Sequence, residues 1–260
     1  MAGALAVISV LLFSLAFLCP IAGAGIGMAL RHWLPEHHLS RESVDVIKLA
    51  MGLMATLVAL TLGLLIQSAA RYHATVETEY RLSLASIVHL DEYLQAYGPG
   101  ARQLREHIRH VAARGFQGHW PNEDFGPTGP TPDAGTNQFT EAQRPIVELE
   151  PADAAQRWFQ SQALQLTNRL SDLRWLVMNQ QTTTMPLLPV FALIFLSSMA
   201  IFGSFSLYVR PNATVLTVIS LTALAIAGAS FLIVEMNNPF HGLMYISSRG
   251  AHAVMQVLGP

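Results

Sequence analysis

Four charge-free apolar runs constrain this 260-residue chain more than anything else in it: Met1–Leu30, Leu49–Ala70, Trp175–Val209 and Pro211–Val234. A helix needs about 20 apolar residues to cross the hydrocarbon core of a bilayer, and each run reaches that length. Between the second and third lie roughly a hundred residues rich in polar side chains. The pattern predicts an all-α, polytopic membrane protein: four transmembrane helices in a 2+2 arrangement, with a helical polar domain between the pairs.

Composition agrees. The chain is 52% hydrophobic and 12% charged, whereas soluble domains carry about a quarter charged residues. A net charge of −2 offers nothing to a nucleic-acid backbone, so no nucleic-acid partner is expected. The single cysteine, Cys19, excludes an intrachain disulfide and a cysteine-based metal cluster. The start, MAGALAV, lacks a positive segment, and its apolar run exceeds the core of a cleavable leader. A retained first helix is expected.

The expected organisation is a first span in 1–30, a short polar loop over 31–48 and a second span over 49–70. An extramembrane helical domain follows over 71–184, with a mobile loop at 121–137. The third and fourth spans occupy 185–208 and 213–235, and a tail closes the chain over 236–260. Pro20 is expected to bend the first span by removing a backbone donor. Gly23 and Gly27, four apart, let another helix approach closely. Pro35 and the His37-His38 pair fall in the first loop, and Ser40 is positioned to cap the second span. The short Ser206–Asn212 connection predicts an antiparallel hairpin of spans three and four.

In the second span Gly52, Thr56, Ala59, Gly63 and Gln67 recur every three or four residues, so they share one face, which Arg71 extends by a turn. Small residues on one stripe serve a tight helix contact or a pore lining, and periodicity alone does not choose. No glycine or proline interrupts 67–97, so this helix should continue beyond the bilayer until Gly98-Pro99-Gly100 stops it. Past the span, Val76, Tyr80, Leu84, Ile87 and Leu94 predict an apolar face, with Leu90 beside it. Leu104, Ile108 and Val111 do the same for a second polar helix. A third, from Pro151 towards Asn179, is expected to bury Trp158, Gln162, Leu166, Leu170, Leu173 and Val177. These helices should stack as a bundle, and 247–258 could form a small interfacial helix.

No ionisable residue falls near the centre of a span, which argues against a pump or proton-coupled carrier. Glu235 sits at a span end, where water is expected to reach it. His107 and His110 share a helical face, with Glu106 and His119 near in sequence, but no metal-ligand signature fits. Neither a phosphate loop nor a nucleophile elbow nor a zinc-hydrolase helix is present. No catalytic residue, metal or cofactor is expected, and the protein is not read as an enzyme. Arg71, Arg81, Arg169, Arg174 and Arg249 flank one side of the membrane, and Arg31, Arg41, Lys48 and Arg210 the other. That balance does not set orientation.

Past the fourth span, Asn237-Asn238-Pro239-Phe240-His241-Gly242 reads as a helix stop: Asn237 caps, Pro239 terminates, Phe240 anchors and Gly242 turns. Three features resemble the bestrophin-like family of bacterial four-span membrane proteins: the Pro239-Phe240-x-Gly242 exit, the small-residue second span entering Arg71-Tyr72 ahead of Glu77 and Glu79, and Trp120-Pro121. That family carries an aspartate where this chain has Asn237, a change that removes a charge. The resemblance implies kinship with bestrophins, which are pentameric anion channels with a pore-lining second span and a cytosolic helical domain. It implies a passive, oligomeric anion channel in the bacterial inner membrane, with the polar domain and both termini cytoplasmic. The partners implied are the lipid bilayer, further copies of the chain and anions. Bestrophin necks are ringed by bulky apolar residues, whereas this face is small and polar. The alternative is a membrane-anchored sensor or scaffold whose helical domain binds a partner.

Overall fold

The computed structural model describes residues 2–33, 41–128, 138–182, 187–209 and 212–259. Every element among them is helical: α1 Ala2–Leu30, α2 Arg41–Tyr97, α3 Arg102–His119, α4 Gln138–Val147, α5 Ala154–Thr182, α6 Leu187–Tyr208, α7 Ala213–Met236 and α8 Arg249–Val257, with a 3-10 turn at Pro99–Ala101. Four of them contain a stretch long and apolar enough to cross a membrane: Ser9–Leu30, part of Val44–Tyr97, Leu188–Tyr208 and Ala213–Met236. The protein is an all-α membrane protein. The expected Ser40 cap, Pro35, the His37-His38 pair and the far part of the 121–137 loop lie outside the described residues.

The chain divides into two compact units, Met1–His73 with Met185–Met244 and Ala74–Thr184 with Tyr245–Pro260. In the first, α1 packs along both α6 and α7. α6 and α7 thus share α1 as a neighbour. Glycine is the cause. A Cβ placed on Gly23 would strike the Met199 backbone, and one on Gly27 the Gly203 backbone. Removing side chains there brings the two helix backbones together, and van der Waals packing drives association where water cannot. α1 stays helical through Pro20, whose ring is buried. Around this contact Ala16, Phe191, Ile194, Phe195, Ala227, Ile233 and Val234 form the core, with Leu65 and Ala69 of α2. Phe13 and Phe231 meet edge to face at 6.2 Å.

α2 is one 57-residue helix. It begins at Arg41, so half of the stretch read as a loop over 31–48 is its first two turns; Asp45 and Lys48 are exposed there, and nothing in Arg41–Lys48 breaks a helix. It ends where Gly98, at φ 107°, adopts a backbone only glycine takes easily.

In the second unit Val76, Ile87, Leu90 and Leu94 of α2 are buried, as are Leu104, Ile108 and Val111 of α3. Leu90, placed beside this face from the spacing, lies at its centre. One ion pair joins them: Arg105 Nε and Nη2 each donate to the Asp91 carboxylate at 2.7 Å, clasping α3 to α2. α5 agrees with expectation at Leu170, which is buried, and differs at Trp158, while the Val177 side chain lies outside those described. Trp158 is 52% exposed, and the buried seam is Ala163, Thr167 and Leu170, one helical face of mostly small residues. Thr167 satisfies its hydroxyl on the Ala163 carbonyl at 2.7 Å, so a polar residue is buried without an orphan donor. Two glutamines finish the neighbouring helices: Gln156 donates to the Tyr97 carbonyl at 3.0 Å and Gln160 to the Ile146 carbonyl at 2.8 Å. Both are orphan acceptors of helix ends. α4 lies between the expected loop over 121–137 and the helix expected from Pro151, a helix that the periodicity did not mark.

α8 occupies Arg249–Val257, within the stretch 247–258 where a short terminal helix is expected. It packs on α3 through buried Ala251 and Val254. Phe125 stacks on the His252 ring at 4.5 Å, and Glu123 lies 2.7 Å from His252 Nε2.

Candidate functional site

The face of α2 that carries Gly52, Thr56, Ala59, Gly63, Gln67 and Arg71 is exposed at every one of those positions. Nothing lies within 4 Å of a Cβ placed on Gly52 or on Gly63. Among the described residues the chain does not use this stripe to pack its own helices; that work falls to Gly23, Gly27 and Gly203. α2 turns a different side inward, with Val58, Leu62, Leu65, Ile66 and Ala69 against the core. At about 100° per residue, that side is centred roughly a third of a turn from the small stripe, with Ile66 at its near edge beside Ala59. The Thr56 hydroxyl donates to the Gly52 carbonyl at 2.7 Å, so it presents its lone pairs outward. Arg71 closes the stripe with an exposed guanidinium that forms no ion pair among the described residues.

Two residues on, His73 donates its Nε2–H to the Met244 carbonyl at 2.9 Å. That bond joins α2 to the segment leaving α7, so two of the three stretches that carried the family resemblance meet in one place. The segment is tightly folded. Asn237 caps α7 and donates its side-chain amide to the Ile233 carbonyl at 2.7 Å; Asn238 donates to the Val234 carbonyl at 2.8 Å. These serve the orphan acceptors of the helix end. Pro239 is buried and Phe240 half-buried. The backbone reverses between the Asn238 carbonyl and the His241 amide, 3.1 Å apart, and Gly242 completes the turn at φ 98°.

Glu235 organises this loop. The expectation that water reaches it is corrected: its residue surface is 6% exposed. It accepts the Leu243 N–H on Oε2 at 2.5 Å. A Cβ on Gly242 would fall on the same carboxylate, so the glycine is required by space as well as by φ. The sequence signal was Gly242, seven positions beyond the acid. Nothing marked His73 as the partner of Met244, a bond between residues 171 apart.

Two of the histidines considered for a metal contact backbone carbonyls through one ring nitrogen. His110 Nδ1 meets the Pro127 carbonyl at 2.7 Å, and His119 Nδ1 the Gly115 carbonyl at 3.0 Å.

Comparison with known proteins adds one result. The model of the bestrophin-like domain matches residues 18–251, a stretch that holds the α2 stripe, the polar helices and the exit loop. No curated protein and no solved structure matches the chain. A match across nearly the whole chain, on a fold with four candidate spans, decides the family: the chain belongs to the bestrophin-like proteins.

Proposed function

We propose that the protein is a passive, oligomeric ion channel rather than an enzyme, with copies of α2 arranged around a pore. One observation carries the reading: the Gly52–Gln67 stripe is small, partly polar and left open by its own chain. A helix face facing lipid gains nothing from a threonine and a glutamine, whereas a water-filled path does. Helical backbone keeps its hydrogen bonds at membrane depth, so selectivity comes from rings of side chains. Arg71, repeated in each copy, makes a cationic mouth that favours anions. The proposed setting is the bacterial inner membrane, with the polar unit and both termini cytoplasmic.

The test is anion flux through purified protein in liposomes, with Gly63→Leu as the probe. Since nothing lies within 4 Å of a Cβ at Gly63, the protomer accommodates the larger side chain, while a pore lined at that level narrows. Folding is expected unchanged and flux sharply reduced. Flux equal to that of the parent protein rejects this pore face.

A further inference from the structure

The geometry points to an interfacial lipid contact at Leu243 and Met244: these two residues form a finger that inserts its side chains into the headgroup–acyl boundary beside the end of α7. The arrangement is inside out by the standards of a loop in water. Glu235, an ionisable residue, is 6% exposed, while Leu243, whose N–H it binds, is 80% exposed and Met244 39%. Exposure of an apolar residue is ordinary by itself. What is unusual is that two backbone groups of this pair are satisfied from within. The Leu243 N–H goes to the Glu235 carboxylate at 2.5 Å and the Met244 carbonyl to His73 Nε2 at 2.9 Å.

In water neither bond is needed, because solvent serves the backbone. In a weakly hydrated medium each unpaired backbone group is costly. The chain thus removes two polar groups from the outer surface at the place where it turns two apolar side chains outward. The site adjoins a candidate span: α7 ends at Met236, and Asn237 and Asn238 fold back on its last turn. Leu243 therefore lies seven residues past the end of α7, a candidate span. Gly242 supplies the bend that lets the chain return to Glu235. The lipid surface, not a further protein, is the occupant that this balance of polar and apolar groups fits.

Depth measurement tests this without reference to conduction. In a Cys19→Ser background, Leu243→Cys is spin-labelled and the protein reconstituted in lipid vesicles. Leu221→Cys, at an exposed position within α7, gives the acyl-depth reference. The label at 243 is expected to collide more with dissolved oxygen than with an aqueous nickel chelate, at a depth shallower than that at 221. Adding Glu235→Ala is expected to abolish the oxygen excess at 243, because the finger loses its tether. Access to nickel exceeding access to oxygen in the parent background overturns the proposal, since the finger then lies in water. Low access to both, with broadening between labels, overturns it too, since a second copy then covers the site. Unchanged depth in the Glu235→Ala protein overturns the tether.

Discussion

Glu235 and Leu243 are joined by a carboxylate-to-amide hydrogen bond of 2.5 Å that closes the loop after the last span. A buried carboxylate this close to a helix C-terminus is unfavourable against the helix dipole. It is held there because its oxygens take up a backbone donor that the loop would otherwise leave unpaired. The space this needs explains Gly242.

Replacing Gly242 by alanine is therefore expected to destabilise the first unit by about 2 kcal/mol, from backbone strain at positive φ and the collision with Glu235. Thermal denaturation in detergent measures it. Because the two residues touch, Glu235→Ala with Gly242→Ala should cost less than the two single changes added together. Strict additivity would show that the carboxylate does not constrain this turn.

Gly27→Leu is expected to cost on the order of 3 kcal/mol or to prevent assembly of α1 on α6, since backbone lies where the side chain must go. Gly25→Leu, two residues away with nothing within 4 Å, should be close to neutral. The ratio of folded protein recovered for the two variants checks the helix contact independently of any function.

Arg105→Met strands Asp91, which is 4% exposed, inside the second unit. Loss of one member of a buried pair costs about 3–5 kcal/mol, the upper end falling to a more buried arginine than this one. Asp91→Leu with Arg105→Met should recover much of the loss. Unfolding monitored at the far-ultraviolet helix band gives both values. An equal loss in the single and double variants would mean that the clasp matters only for packing.

Acid should release α8. The hydrogen bond from Ser248, then the bond to His252, holds the Glu123 carboxyl below its ordinary 4.5. A group whose pKa is lower in the folded chain stabilises it above the ordinary value and stops doing so as pH falls through the depressed one. The protection of the amides over Arg249–Val257 against hydrogen exchange is thus expected to fall below about pH 4.5. Glu123→Gln should remove that acid step; its persistence would assign the step to another group.

If α2 lines an anion path, Arg71→Gln should lower the preference for anions over cations. The reversal potential under a salt gradient should move towards zero, most clearly at low ionic strength where the charge is least screened. An unaltered reversal potential would remove Arg71 from the mouth.

The sequence by itself determined the class of this protein, because an uncharged run of some 20 residues has few stable homes besides a bilayer. It determined the length of α2 past the apolar run, since no residue between Gln67 and Tyr97 stops a helix, and the seam of α3, where periodicity and burial coincide. Tertiary structure decided what periodicity cannot rank. Ala163 and Thr167 displaced Trp158 from the α5 seam because close helix approach selects small side chains over large ones. It also decided which glycines pack: Gly23 and Gly27 meet α6, while Gly52 and Gly63, identical in chemistry, are left open. Bonds between distant residues, His73 to Met244 and Arg105 to Asp91, depend on where the fold brings each pair. Local sequence sets which face of a helix is apolar or small; only the packed chain sets which neighbour, if any, that face meets.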